Sequence, residues 1–350
     1  MKKIFAVVGA RPQFIKHAPF ELAAKHQFEL KTIHTGQHYD DNMSQIFFDQ
    51  LSLSKPDFML DIRSHQHGKQ TALMMIEIED ILLREKADAM IVYGDTNSTL
   101  ASALVASKLQ IPVFHIEAGL RGYNKNLPEE INRIMTDHVS ELLFTPTAVA
   151  DQNLAKEGIT KGVHRTGDIM YDMIQIALKN QVEINYKLDF KYYFCTSHRP
   201  YNVDESTRLA DILNCLNQLK YKVLLPLHPR TKAALERFGI EKSMFENIKF
   251  IEPQSYFQNI HLMKHAEAVI TDSGGIQKEA YFLRRKCITL RSETEWVETL
   301  NNNWNHLVFE DLNTIQDKLD IPCGAFDDSF FGNGKSAEQM VKCITNFFDD

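Results

Sequence analysis

Met90-Ile-Val-Tyr-Gly94-Asp95 is an apolar strand pattern that ends in an acidic residue at a turn, and Val113-Phe-His-Ile-Glu117-Ala-Gly119 repeats the arrangement. The segment between them, Thr96 to Leu109, is rich in Ala, Leu and Ser and predicts a helix. A strand, a crossover helix and a second strand form a right-handed βαβ unit with parallel strands. Asp95 and Glu117 should therefore lie at the carboxyl edge of one sheet, where open α/β folds bind ligands.

The alternation of strands and helices continues on both sides of this unit. Strand patterns at Lys3–Val8, Leu30–His34 and Leu142–Thr145 alternate with helical ones, the pattern loosens near residues 166–190, and the alternation restarts at Tyr192–Thr196. This order predicts an α/β protein with two Rossmann-like domains that face each other across a cleft, each with a doubly wound parallel sheet. We place the domains at residues 1–165 and 166–335, followed by one amphipathic helix within residues 336–350.

The composition limits the possible functions. The chain has 350 residues and a net charge of −7 without long runs of like charge, which argues against a nucleic-acid binder. No apolar stretch approaches the roughly 18 residues of a membrane span, so we expect no membrane contact. The five cysteines are an odd number without CxxC spacing, which indicates reduced thiols and a cytoplasmic protein. We predict no metal and no cofactor, since metal-ligand spacing and the Gly-x-Gly-x-x-Gly fingerprint of NAD binding are both absent.

The strongest candidate for phosphate binding is Thr271-Asp-Ser273-Gly274-Gly275-Ile-Gln-Lys-Glu279, which follows the strand pattern Ala268–Ile270. The amides of Ser273, Gly274 and Gly275 can form an anion-binding nest. Glu279 lies further along the same helix, where a carboxylate can accept both hydroxyls of a ribose. A plain helix cap at Ser273 is the alternative, but a cap does not need a pair of glycines.

Three further strand ends carry basic residues. Gly9-Ala-Arg11-Pro12 opens a helix after the first strand, where Arg11 and Lys16 could bind an anion or could be solvated surface cations. His198, followed by Arg199, ends another strand pattern, as His228 does, and a histidine there can donate to phosphate or act as a general acid. A packed structural histidine is the alternative for each.

Three acids, Asp95, Glu117 and Glu129, are candidates for proton transfer. Asp95 could instead cap the next helix, and Glu129 could complement the helix dipole after Pro128. Glu117 ends a buried-looking strand, where desolvation would raise the pKa of a carboxyl group toward neutrality. Arg121 and Arg133 are the natural charge partners of these acids.

These motifs, in this order, resemble the non-hydrolysing UDP-N-acetylglucosamine 2-epimerase family. The matching strings run over nearly the whole chain: Gly9-Ala-Arg-Pro12, Thr35-Gly-Gln-His38, Gly94-Asp-Thr96, His115-Ile-Glu-Ala-Gly-Leu-Arg121, Pro128-Glu-Glu-Ile-Asn-Arg133, His198-Arg199 and Asp272-Ser-Gly-Gly-Ile-Gln-Lys-Glu279. No single string is decisive, but the ordered set is highly specific.

The resemblance implies a glycosyltransferase-B-like (GT-B-like) architecture, a last helix that returns to the first domain, a homodimer and a UDP-sugar substrate. It also implies inversion at C2 of the sugar, by elimination of UDP to a 2-acetamidoglucal and re-addition, for surface polysaccharide synthesis. The matching catalytic residues would be Asp95, Glu117 and Glu129, with His198 at the leaving group. The matching UDP contacts would be Arg11, Lys16, Arg133, His198, Ser273, Gly274, Gly275 and Glu279.

Two departures from the family pattern leave the sugar open. Tyr201 stands before Asn202 where an acidic residue is usual, and Trp296 replaces the arginine of Thr-Glu-Arg-Pro-Glu. The second form resembles the branch that acts on UDP-2,3-diacetamido-2,3-dideoxy-glucuronic acid, which is therefore the alternative substrate. A GT-B glycosyltransferase and a UDP-sugar sensor without catalysis are further alternatives, because fold alone does not fix function.

Overall fold

The computed structural model describes residues 1–37, 53–63, 65–179 and 188–349. The chain forms two compact units, one of Met1–Ile176 with Asp328–Asp350 and the other of Ala177–Asp327. Each unit contains one parallel sheet accompanied by helices, which confirms the predicted α/β class and the two Rossmann-like folds.

The first unit has a seven-stranded parallel sheet in the order β3-β2-β1-β4-β5-β6-β7. The strands are β1 Lys3–Val8, β2 Glu29–His34, β3 Phe58–Met59, β4 Ala89–Tyr93, β5 Val113–Ile116, β6 Leu142–Thr145 and β7 Val163–Arg165. The helices are α1 Arg11–Ala24, α2 His67–Glu85, α3 Asn97–Lys108, α4 Pro128–His138, α5 Ala148–Lys156 and α6 Ile169–Lys179. The central strands β4 and β5 are buried along their whole length and apolar except for His115, as in parallel sheets covered on both faces.

The second unit repeats this topology with six strands in the order β10-β9-β8-β11-β12-β13. Its strands are β8 Tyr192–Thr196, β9 Lys222–Pro226, β10 Ile248–Ile251, β11 Ala268–Thr271, β12 Lys286–Thr289 and β13 Asn305–Leu307. Its helices are α7 Pro200–Val203, α8 Ser206–Asn217, α9 Pro229–Phe238, α10 Tyr256–His265, α11 Gly274–Phe282 and α12 Ile315–Asp320, with 3-10 turns at Lys242–Met244, Val297–Asn303 and Leu312–Thr314.

In both sheets the strand order reverses beside the first strand of the unit. In the first unit this switch point lies between β1 and β4, and in the second it lies between β8 and β11. Ligands of doubly wound sheets bind outside the carboxyl ends of the strands at such a point. Topology alone therefore selects the turns after Val8, Tyr93, Thr196 and Thr271 as candidate site elements.

The last helix, α13 Ser336–Asp349, packs within the first unit. The amides of Ser336 and Ala337 donate to the carboxylate of Asp172 at 3.0 and 2.9 Å. At the other end of the helix, the ring of Phe347 meets the ring of Phe114 on β5, with centroids 5.2 Å apart. Among the described residues, no helix has both the length and the apolar character needed to cross a membrane.

The elements that were not predicted from the sequence are β3, β7, α6, the short helices α7 and α12, and the 3-10 turns Lys242–Met244 and Leu312–Thr314. β3 and β7 have only two and three residues, which is too short for a periodic pattern to show. Helix α6 lies within residues 166–190, where the alternation of strand and helix patterns loosens, so no element was assigned there. The helix expected at residues 42–51 and the motif residue His38 lie outside the described residues.

Candidate functional site

The switch point of the first unit is built around the side chain of Gln13. Its Oε1 atom accepts the amides of Gly9 and Ala10 at 2.8 and 3.1 Å, and its Nε2 atom donates to the carbonyl of Tyr93 at 3.0 Å. Gln13 thereby ties the turn after β1 to the turn after β4. A Cβ atom at Gly9 would lie 2.1 Å from Thr35 Oγ1, so the close approach of these segments requires glycine.

Asp95 lies directly after this second turn and is held by helix α4. Its Oδ2 atom accepts from Arg133 Nη2 at 2.5 Å, and its backbone carbonyl accepts from Asn132 Nδ2 at 2.8 Å. Arg133 also donates to Glu130 at 2.8 Å. Asp95 is therefore a partly exposed carboxylate whose charge is balanced by a guanidinium.

Glu117 follows β5 in a left-handed backbone conformation, with φ of +74°. The amides of Glu117 and Ala118 donate to the carbonyl of Phe144 at 3.1 and 3.0 Å, which fixes the turn on β6. The Oε2 atom of Glu117 contacts the Nζ atom of Lys16 from α1, and both side chains are buried. The ammonium group of Lys16 thus balances the charge of a buried carboxylate at the end of β5.

Gly94 brings the two acidic turns together. A Cβ atom at this position, where φ is +62°, would lie 3.0 Å from Lys16 Nζ and 3.3 Å from Glu117 Oε2. The turn that carries Asp95 therefore borders the buried pair of Lys16 and Glu117. Of the residues predicted for the first unit, the structure thus assembles Asp95, Glu117, Lys16 and Arg133 at one edge of the sheet.

The other predicted site residues of the first unit differ from these four in their exposure or in their partners. Glu129 is exposed in the first turn of α4, and Arg11 is exposed at the first position of α1. The neighbouring Glu130 is buried and accepts the amides of Gly122 and Tyr123 at 3.0 and 2.8 Å. The two adjacent glutamates could not be distinguished from the sequence, because which of them faces inward depends on how α4 packs.

Arg121, expected as a partner of the three predicted acids, pairs elsewhere. It donates to Asp137 Oδ2 at 2.7 Å and forms two bonds of 2.7 Å to Glu157. The buried carboxylate of Asp137 also accepts from His115 Nδ1 at 2.7 Å. Burial alone would raise the pKa of Asp137, but His115 and Arg121 hold it below its ordinary value.

The switch point of the second unit is built around a buried carboxylate, Asp272. It accepts from Ser197 Oγ at 2.9 Å, from the amides of His198 and Arg199 at 2.9 Å each, and from Asn202 Nδ2 at 3.2 Å. These bonds fix the turn after β8 against the turn after β11. The ring of His198 remains partly exposed beside this turn, stacked on the ring of His228 with centroids 4.8 Å apart.

Ser273 caps helix α11, which is the alternative to phosphate binding that the sequence left open. Its Oγ atom accepts the amide of Ile276 at 3.4 Å. Capping and anion binding do not exclude each other, because the amides of Gly274 and Gly275 also lie at this helix start, whose dipole favours negative charge. Glu279 lies on the same helix and is buried.

A partly buried arginine, Arg291, lies beside this helix start. A Cβ atom at Gly274 would lie 3.2 Å from Arg291 Nη1 and 3.0 Å from Glu295 Oε1, so glycine lets both side chains approach. Arg291 donates to Glu295 at 3.0 Å through Nη2, while its Nη1 atom is buried and has no hydrogen-bond partner among the described residues. A buried donor without a partner is costly unless a ligand satisfies it. Arg291 was not predicted from the sequence, although its place two residues after the end of β12 is the signal that could have identified it.

Trp296, which departs from the family pattern, is buried under a second cation. The Nζ atom of Lys278, itself almost fully buried, lies 3.6 Å from the centroid of the Trp296 ring. The aromatic face attracts the ammonium group electrostatically. A positive charge therefore lies next to the position where the family pattern has arginine. Within the described part of the chain, no group of three or more His, Cys, Asp or Glu side chains is placed to hold a metal ion.

Comparison with protein families gives one match over most of the chain. The model described as UDP-N-acetylglucosamine 2-epimerase matches residues 20–345. A UDP-N-acetylglucosamine 2-epimerase homolog from Methanococcus maripaludis is 45% identical, with 98% of this chain and 99% of the relative covered. The UDP-2,3-diacetamido-2,3-dideoxy-D-glucuronate 2-epimerase of Pseudomonas aeruginosa is 43% identical over the same shares of both chains.

Solved structures agree with the sequence comparison. The UDP-GlcNAc 2-epimerase of Methanocaldococcus jannaschii, crystallised in complex with UDP-GlcNAc and UDP, superposes with a TM-score of 0.88. It is 40% identical to this chain, and the match covers 98% of this chain and 99% of that one.

Proposed function

The chain belongs to the UDP-N-acetylglucosamine 2-epimerase family, and we propose that it inverts C2 of UDP-N-acetylglucosamine to give UDP-N-acetylmannosamine. The protein is accordingly an isomerase that acts on a nucleotide sugar. The observation that carries this proposal is the buried contact of Lys16 with Glu117 at the border of the Asp95 turn.

The reaction needs a proton acceptor and a proton donor near C2. In the first step the C2 proton is removed, the C1–O bond to UDP breaks, and the electron pair of the C–H bond becomes the C1–C2 double bond of 2-acetamidoglucal. In the second step UDP adds again to C1, and a proton returns to the opposite face of C2. Asp95, Glu117 and Glu129 are the proposed acid–base carboxylates, and the ion pairs with Arg133 and Lys16 hold the side chains of Asp95 and Glu117 in place.

The leaving group is a diphosphate, so the second requirement is positive potential. In the second unit, the start of α11 and the buried Nη1 atom of Arg291 offer donors to an anion, and His198 could protonate the departing oxygen. The proposed UDP contacts are Arg11, Lys16, Arg133, His198, Ser273, Gly274, Gly275 and Glu279, to which we add Arg291.

The defining experiment is incubation with UDP-N-acetylglucosamine in deuterated water, followed by NMR of the recovered sugars. Solvent deuterium should appear at C2 of both the gluco and the manno epimer, because each re-addition takes its proton from the enzyme or from water. Omission of the enzyme is the control. If neither this sugar nor the uronate described next acquires deuterium, the epimerase proposal is wrong.

A second substrate, UDP-2,3-diacetamido-2,3-dideoxy-glucuronic acid, is favoured by one specific observation. The Pseudomonas relative named for it is 43% identical, and in this chain the buried pair of Lys278 and Trp296 adds a cation near the proposed nucleotide contacts. A substrate panel that compares the neutral and the uronate sugar at equal concentration separates the two. A larger kcat/KM for the uronate would assign the chain to that branch.

We further propose that the enzyme is a cytoplasmic homodimer that serves surface polysaccharide synthesis. Five free cysteines support a reducing compartment. Exposed apolar residues one turn apart on α4, Ile131 and Met135, support a partner surface on the first unit. Light scattering should give twice the chain mass of 40.3 kDa, and the double variant I131E/M135E should lower it; a monomeric wild type would contradict the dimer.

A further inference from the structure

His115, in the string that resembles the family motif, has no assigned role, although it is among the most completely buried polar residues of the chain. It lies in β5, two residues before Glu117. Its Nδ1 atom is 2.7 Å from Asp137 Oδ1, and its Nε2 atom is 2.8 Å from the carbonyl oxygen of Gly94. Each ring nitrogen therefore has one oxygen partner of its own.

The partners decide where the ring protons are. A carbonyl oxygen only accepts hydrogen bonds, so Nε2 must carry a proton. Asp137 is ionised, because Arg121 donates to its Oδ2 atom and the pKa of this carboxyl group is held below its ordinary value despite burial. An ionised carboxylate also only accepts, so Nδ1 carries a proton as well. The buried ring is an imidazolium, and its charge is balanced by Asp137.

This ion pair connects the two turns that carry the proposed acids. At one end the ring donates to the carbonyl of Gly94, which immediately precedes Asp95. At the other end Asp137 Oδ2 accepts the amide of Gly119 at 3.1 Å, two residues after Glu117. One chain of hydrogen bonds, Gly94 to His115 to Asp137 to Gly119, thus spans both turns.

The Glu117 turn needs such a restraint because the backbone conformation of Glu117 is unfavourable. Glu117 has φ of +74°, a conformation that residues with a side chain rarely adopt, and Gly94 and Gly119 have φ of +62° and +80°. Surrounding contacts must hold Glu117 in this state. The hydrogen bonds from the amides of Glu117 and Ala118 to the carbonyl of Phe144 fix the turn against β6. The hydrogen bond from the amide of Gly119 to Asp137 fixes it against α4.

We propose that His115 and Asp137 are positioning residues: as a buried imidazolium–carboxylate pair, they hold the Asp95 turn and the Glu117 turn in the mutual geometry that proton exchange at C2 requires. The pair does not contact the nucleotide and sets the rate of proton transfer rather than substrate affinity. This inference rests on the epimerase function proposed above.

Three substitutions interrupt the chain of hydrogen bonds at different links. His115→Gln keeps a donor toward the Gly94 carbonyl and loses Asp137, whereas His115→Asn keeps a donor toward Asp137 and loses Gly94. Asp137→Asn leaves His115 unchanged and keeps the shape of the side chain at position 137, but it removes the negative charge that balances the imidazolium. We expect each to slow deuterium exchange at C2 by about 10- to 100-fold, the effect of a misplaced catalytic group, and to leave the Kd for UDP within about twofold of wild type.

Thr32→Val is the matched control, since it removes another buried hydrogen bond of the first unit, from Thr32 Oγ1 to His17 at 3.2 Å, away from both turns. It should lower the melting temperature without the selective loss of exchange. Nitrogen-15 NMR of the wild type should show protons on both ring nitrogens of His115 at neutral pH. His115→Gln and His115→Asn cover the case in which Asp137→Asn does not fold.

The outcomes separate this inference from the function on which it rests. If all folded variants exchange deuterium at the wild-type rate, the positioning role is wrong and the epimerase proposal remains intact. A parallel loss of exchange and UDP affinity, or a singly protonated ring, would also overturn it. Absence of exchange in the wild type with both sugars would remove the proposed function and this inference together.

Discussion

The ammonium group of Lys16 contacts the carboxylate of Glu117, and both side chains are buried at the carboxyl edge of the first sheet. Burial of either charge alone would be costly, so the two stabilise each other. Substitution of one partner leaves the other without compensation. The effect on catalysis must therefore be separated from the effect on folding in every experiment on this pair.

Glu117→Gln removes the negative charge and keeps the shape of the side chain. If Glu117 transfers a proton, deuterium exchange at C2 should fall by about 10²- to 10⁴-fold. The affinity for UDP, measured by calorimetry, should change little. Glu79→Gln, on the exposed surface of α2, is the control for the loss of one carboxylate. If the Glu117→Gln protein exchanges deuterium at the rate of this control, Glu117 has no part in the mechanism.

Glu129 and Glu130 are adjacent but should respond differently to the same substitution. Glu130→Gln weakens the ion pair with Arg133 and the bonds to the amides of Gly122 and Tyr123, so it should lower the free energy of unfolding by about 1–3 kcal/mol. Glu129→Gln, on the exposed side, should leave stability unchanged and slow exchange. Urea denaturation with parallel exchange assays measures both effects. Equal stability of the two variants would argue against the observed orientation of α4.

Ser273→Ala tests the helix start in the second unit. Loss of the cap on Ile276 should cost about 1 kcal/mol of stability, and loss of a donor near the phosphates should weaken UDP binding. Ser255→Ala is the matched control, because Ser255 caps α10 in the same way. The control should lose stability alone; undiminished UDP affinity of Ser273→Ala would count against the phosphate nest.

Trp296→Arg would restore the residue of the usual family pattern at a cost. The new guanidinium would stand against the buried ammonium group of Lys278, 3.6 Å from the present ring centroid, and would replace attraction with repulsion. We expect a lower melting temperature, and we expect Trp296→Phe, which keeps an aromatic face, to retain more of the stability. A fully stable Trp296→Arg protein would show that the cation–π contact contributes little.

Stability should decline on acidification through Asp137 and Glu157. Arg121 lowers the pKa of Glu157 against the effect of burial, and His115 with Arg121 lowers that of Asp137. A carboxyl group with a depressed folded-state pKa adds stability that is fully present above its unfolded value, about 4, and is lost as the pH falls through the folded value. The urea concentration at the midpoint of unfolding, measured at pH values from 7 downward, should therefore fall once the pH is below about 4. Glu157→Gln should flatten part of this drop, and an identical profile in the variant would contradict it.

Most of the fold was predictable because its long strands are apolar and end in recognisable turns. The strands Lys3–Val8, Leu142–Thr145 and Tyr192–Thr196 were predicted with their observed bounds. Their burial on both faces makes each one a continuous apolar run between polar turns. β7 was missed because it is a short edge strand with the polar residues His164 and Arg165.

The site was less predictable than the fold. The sequence shows which residues follow a strand, so Asp95, Glu117, His198 and Ser273 could be selected as candidates. It does not show partners that come from other elements. The contact of Lys16 with Glu117 joins a helix to a turn 101 residues away, and the cation–π pair of Lys278 with Trp296 depends on the packing of α11.

The first unit is discontinuous, since Asp328–Asp350 completes a body that begins at Met1. During synthesis on the ribosome, residues 177–327 emerge before the helix Ser336–Asp349 that covers Phe114. The second unit can therefore close its sheet while the first still exposes apolar surface. We expect the amino-terminal half to need chaperone protection for longer, although it is made first.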